Sequence, residues 1–112
     1  MDITAEKCGD VMLLGIKGRL DASTANKLGE KLLASIDGGE RRLALDCSQL
    51  VYISSAGLRV LLVAVKRLSS SNGKIVLYAL KDQIKEVFDI AGFSPLFPSF
   101  TTQEEALRSF DQ

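Results

Sequence analysis

Val11 to Lys17, Leu43 to Asp46 and Lys74 to Leu80 are apolar runs of strand length, and each is followed by a segment whose apolar residues recur at helical spacing. In the first segment these are Ala25, Leu28, Leu32 and Ile36; in the second Leu58, Leu61, Leu62, Val65 and Leu68; in the third Ile84, Val87, Phe88 and Ala91. A strand that returns to its neighbour through a helix runs parallel to it, by a right-handed crossover. The order therefore predicts an α/β fold, a mixed, largely parallel sheet of four to five strands flanked by about four helices.

The punctuation agrees. Asp21 or Ser23 is suited to cap the first helix and Gly38-Gly39 to stop it; Ser69 to Lys74 forms a polar turn after the second, and Gly92 closes the third. The residues before Gly9-Asp10 are placed to form an antiparallel edge strand. Pro95 and Pro98 restrict their segment to a short edge strand at most. Thr102 and Glu105 stand at capping-box spacing ahead of Ala106, Leu107 and Phe110.

With 112 residues, one domain over 1–112 is expected. Fourteen basic residues balance fourteen acidic ones, so the basic excess of a nucleic-acid binder is missing. No apolar run approaches the roughly 20 residues needed to span a bilayer, and the polar N-terminus is unlike a signal peptide. Cys8 and Cys47 are read as reduced thiols, which together with these points makes a cytoplasmic protein the expectation. Cys47 and Asp46 read as a packing residue and a strand-end hydrogen-bonding group. Histidine is absent, so no Ser-His-acid triad can be assembled and the commonest metal ligand is lost. No Walker-type loop or Gly-x-Gly-x-x-Gly is present. The chain is expected to be no enzyme and to hold no metal or cofactor.

The stretch ISSAGL, Ile53 to Leu58, interrupts the apolar pattern. Ser54 or Ser55 can serve as N-cap of the second helix, contributing about 1 kcal/mol. Gly57 in the first turn costs about 1 kcal/mol against alanine, and Arg59 is a cation near the positive end of the helix dipole. At about 100° per residue Ser55 and Arg59 lie about 40° apart, with Lys66 on the same side. A phosphate on Ser55 would meet the helix amides and have Arg59 beside it. Val60, Val63 and Ala64 point away from the leucine stripe, either under neighbouring helices or as an apolar patch for docking.

At these residues the sequence resembles the STAS domain family, and within it the bacterial anti-sigma factor antagonists. LALDCSQLVYISSAGLRVLL is similar to the family's strand ending in Asp followed by Ser-Ser/Ala-Gly-Leu at a helix start. GRLDAST resembles its Gly-x-Leu-Asp, and IKEVFDIAGFSPLFPSFTTQEEAL its C-terminal third. The resemblance implies a phosphorylation-controlled binding switch. The unmodified protein binds an anti-sigma factor or related serine-protein kinase, which phosphorylates a serine at the helix start and is thereby released; a PPM-type phosphatase restores the binder. The phosphorylated position falls on Ser55. The preceding residue, Asp in many members, is Ser54 here, which leaves Ser54 as the second choice. The implied partner-binding surface comprises Ser54, Ser55, Ala56, Gly57, Arg59, Val60 and Val63 with Asp21. Two alternatives stay open: a STAS module that binds nucleotide directly, and partner switching in secretion or another pathway.

Overall fold

Within the computed structural model, residues 2–111 are described. Strands β1 (Asp2–Cys8) and β2 (Val11–Leu20) form a hairpin, followed by helix α1 (Ala25–Asp37), β3 (Arg42–Ile53), α2 (Ser55–Ser69), β4 (Lys74–Tyr78) and α3 (Asp82–Ile90). A 3-10 turn at Ser94–Leu96 leads to the two-residue β5 (Ser99–Phe100), then α4 (Gln103–Arg108) and a last 3-10 turn at Ser109–Asp111. The five strands lie in the order β1-β2-β3-β4-β5. Only β1 is antiparallel to its neighbour; β2 to β5 all pair in parallel. This is the mixed, largely parallel sheet with four helices that the alternating pattern predicts.

The hairpin turns at Gly9, whose φ of +61° suits a residue without a side chain. Cys8 pairs directly with Val11 across it. On one face of the sheet Leu14, Leu20, Leu43, Leu45, Ile75 and Leu77 pack against Leu28 and Leu32 of α1, Leu61 and Leu68 of α2, and Ile84 and Phe88 of α3. Each such leucine stabilises the fold by about 1.5–3 kcal/mol when fully removed from water. On the opposite face the chain's end forms the cover among the described residues, where Ala106 and Phe110 pack on Val11, Leu13, Ala44, Val76 and Tyr78. The capping box is formed: Thr102 Oγ1 accepts from the Glu105 amide at 3.2 Å, and the Glu105 carboxylate accepts from the Thr102 amide at 3.2 Å.

Several boundaries differ from the sequence reading. β2 runs to Leu20 and β3 to Ile53, well beyond Lys17 and Asp46. Past Asp46, β3 has left β4 and pairs with β2 alone, so its residues there are half in water and lose the apolar signature of a buried strand. The N-cap of α1 is Thr24, without a side-chain cap bond, in place of Asp21 or Ser23. In α3 Ile84 and Phe88 are buried but Ala91 is exposed, because the helix ends at Ile90. Among the described residues no helix is long and apolar enough to cross a membrane.

Candidate docking site at the start of the second helix

The parallel register brings Leu20 of β2 opposite Ile53 of β3, so the two strands end together. The Ser54 amide, just past that end, donates to the Leu20 carbonyl at 2.9 Å. Its backbone is thereby held extended, at φ −98° and ψ 173°, and its hydroxyl turns back to accept from the Gly57 amide at 3.3 Å. Ser54 is the N-cap and Ser55 the first helical residue. Ser54 is half-buried; Ser55 is exposed. The amides of Ser55 and Ala56 open the helix without intrahelical partners.

Gly57 has a different reason for being glycine than an open helix start. A β-carbon there would lie 2.7 Å from Leu20 Cγ and 3.0 Å from the Leu20 carbonyl oxygen. The residue is buried against β2, and Leu58 after it is buried as well. Ala56 is half-buried, and Arg59 is exposed one turn above Ser55. The first turn of α2 contains no acidic residue.

The off-stripe residues of α2 divide three ways. Ala64 is 1% exposed and belongs to the core, so of its two readings the one that covers it with neighbouring elements holds. Val60 is half-buried against α1, where Gly29 lets the helices approach until Val60 Cγ1 is 3.4 Å from the position of a β-carbon. Val63 is 46% exposed. Together with Asn26, Glu30, Leu33 and Arg59, these valines line an open groove of ≈ 360 Å³ between α1 and α2.

Asp21 organises the loop beside the serines. Its Oδ1 accepts from the Ser23 amide at 3.1 Å, the Ser23 hydroxyl at 2.7 Å and the Thr24 hydroxyl at 3.2 Å. The Ser23 hydroxyl, above all, holds the Asp21 carboxyl below the ordinary aspartate range. The Asp21 carbonyl accepts from Thr24 and Ala25, which starts α1.

Two residues of this pole escaped the sequence reading. Arg19 and Tyr52 are register partners on β2 and β3, and the Arg19 guanidinium lies 4.1 Å from the centre of the Tyr52 ring. Arg19 Nε is also 3.8 Å from Asp21 Oδ2. The signal that would have found the pair is the parallel register, which a sequence does not print.

The chain is similar to known proteins in sequence and in fold. The family model for the STAS domain matches residues 2–106, and the chain belongs to the STAS domain family. BtrV of Bordetella bronchiseptica, provisionally named an anti-sigma factor antagonist, is 40% identical over 110 residues, covering 98% of this chain and 95% of BtrV. The anti-sigma-B factor antagonist of Listeria monocytogenes is 31% identical over 91 residues, covering 81% of this chain and 80% of its own. Among solved structures, the Bacillus cell fate determinant SpoIIAA in its phosphorylated form superposes with a TM-score of 0.77 at 20% identity, covering 97% of this chain and 99% of that one. That likeness is one of fold.

Proposed function

We propose that this chain is an anti-sigma factor antagonist that works as a phosphorylation-controlled switch, with Ser55 as the acceptor. The observation that carries the reading is the division of labour between adjacent serines: Ser54 is engaged in capping, while Ser55 presents its hydroxyl at an exposed helix start. The names of the relatives and the existence of a phosphorylated form of SpoIIAA support it.

Unmodified, the chain docks on a serine kinase of the anti-sigma factor type. The Ser55 hydroxyl oxygen attacks the γ-phosphorus of the kinase's ATP; the new O–P bond forms as the bond to the ADP oxygen breaks, and the hydroxyl proton passes to a base on the kinase. Nucleotide and metal belong to that partner, in the cytoplasm where ATP is available. The phosphate brings about −1.5 to −2 charges onto the docked face. A penalty of about 3 kcal/mol weakens binding more than a hundredfold. The helix dipole tolerates the anion, so the fold has no need to change. A PPM-type phosphatase then hydrolyses the ester and regenerates the binder.

The test is phosphorylation by extract of the native host with labelled ATP, followed by mapping of the modified residue. Label is expected on Ser55, abolished in Ser55→Ala and retained in Ser54→Ala, which is about 1 kcal/mol less stable through loss of the cap. Label confined to Ser54 overturns the assignment. Thermal stabilisation by ATP or GTP alone would instead favour a nucleotide-binding module.

A further inference from the structure

We propose that the face carrying Ser55 receives an acid-rimmed apolar surface on its protein partner, and that it extends beyond α2 to Arg19 and Tyr52 at the ends of β2 and β3. The proposal rests on the reading of Ser55 as the modified residue and specifies the chemistry of what docks there.

Charge is the first argument. The chain as a whole is neutral, yet the 15 residues of α2 include Arg59, Lys66 and Arg67 and no Asp or Glu. Arg67 is spent on Asp37 of α1 at 2.7 Å. Arg59 and Lys66 are exposed and in no ion pair among the described residues. Arg59 is the fifth residue of its helix, past the first turn, so the helix dipole neither calls for it nor strongly opposes it. Arg19 adds a third cation. Its carboxylate neighbour, Asp21, presents Oδ2 at 3.8 Å from Nε while Oδ1 holds the Ser23 and Thr24 bonds, so the long contact offsets Arg19 only in part.

Apolar exposure is the second. Val51, Tyr52 and Val63 are 50%, 40% and 46% exposed, three of the large hydrophobic side chains left in water among the described residues. Leu20 and Ile53 face the helices, so Arg19 and Tyr52, one residue earlier on each strand, face the other way. The serine junction therefore has Arg59 and Val63 on its helix side and the stacked Arg19–Tyr52 pair on its strand side. Tyrosine and arginine are the residue types that most often anchor protein interfaces. A nucleic-acid backbone would use the cations and leave the valines idle.

This arrangement also explains release. A dianion on Ser55, one turn from Arg59, offsets most of the positive charge of the face, and the attraction for carboxylates is lost.

The experiment uses the full chain and the kinase purified as the activity that labels Ser55. Arg19→Glu and Arg59→Glu are each expected to weaken binding about tenfold at about 50 mM salt, with the gap closing at about 500 mM. Arg19→Gln and Arg59→Gln, less disturbing to the fold, are expected to weaken it in the same direction. Arg42→Glu, at the opposite end of β3, makes the same change in net charge and is expected to leave affinity unchanged. Affinity that ignores salt, or Arg19→Glu binding like wild type, overturns the surface while leaving the Ser55 switch intact. A random-sequence duplex DNA bound by wild type and lost by the same variants also overturns it. A host extract that holds no activity labelling Ser55 removes the functional reading itself.

Discussion

The Leu20 side chain, fully buried at the end of β2, occupies the space a β-carbon on Gly57 would need, 2.7 Å from its Cγ, while its carbonyl holds the Ser54 amide at 2.9 Å. One residue thus sets both the position of the serine junction and the identity of the glycine behind it. Helix propensity alone predicts that Gly57→Ala gains about 1 kcal/mol. The contact predicts the opposite sign: Leu20 has no room to swing aside, and overpacking costs about 1–3 kcal/mol. With a backbone oxygen also only 3.0 Å away, the cost lies toward the upper end of that range. Net of the propensity gain about 1–2 kcal/mol is lost, so the variant should melt at least about 4 °C below wild type in a calorimetric scan.

Val63 and Ala64 are adjacent on α2 and should respond in opposite ways to the same change. Val63→Asp alters an exposed position and should shift stability by no more than about 0.5 kcal/mol, while weakening kinase binding. Ala64→Asp puts a carboxylate into the interface of α2 with the core and should cost about 3 kcal/mol or more, read as a shift of the urea midpoint. Equal stability of the two variants would place Ala64 on the surface.

The Asp21 carboxyl titrates below its ordinary 3.8, chiefly because the Ser23 hydroxyl donates to it. A depressed folded-state pKa contributes stability that is fully present above the unfolded value and disappears as pH falls through the folded one. Comparing wild type with Asp21→Asn, the stability difference should be constant from neutral pH down to about 5. It should then shrink as the pH drops below the ordinary aspartate value. A difference that grows on acidification would show the carboxylate to be disfavoured in the loop.

Burial, and then the neighbouring Asp46 charge, push the Cys47 thiol up to about 12. Cys8 sits half-exposed at the end of edge strand β1. Partial burial, and then Glu6, raise the Cys8 thiol too. A thiol reagent at about pH 8 should therefore modify Cys8 slowly in the native protein and reach the buried Cys47 only on unfolding, since the thiolate is the reacting species. Two thiols reacting at one rate without denaturant would mean that β3 opens readily.

The layer architecture was legible because it follows from solvent exclusion along the chain. Residues such as Leu28, Leu32 and Ile36 must share one side of a helix, and runs such as Ile75 to Leu77 must lie between two layers. The capping box of α4 was legible for a related reason, since both partners sit within one turn. Spacing alone does not decide between core and surface for Ala64, because α2 packs against α1 as well as the sheet, which widens the arc that a single stripe implies. The last part of β3 was missed because a strand paired on one side only carries exposed residues such as Gln49 and Tyr52.

Local order along the chain thus specifies which segments become strands and helices, the capping box that starts α4, and that two hydroxyls stand at the mouth of α2. Those are interactions between near neighbours, and the pattern of side chains is enough to define them. Which hydroxyl caps and which is free, why residue 57 must be glycine, and that Arg19 stacks on Tyr52 all depend on β2 ending beside β3. That juxtaposition joins residues far apart in the chain, and it exists only once the core has closed and the parallel register is chosen.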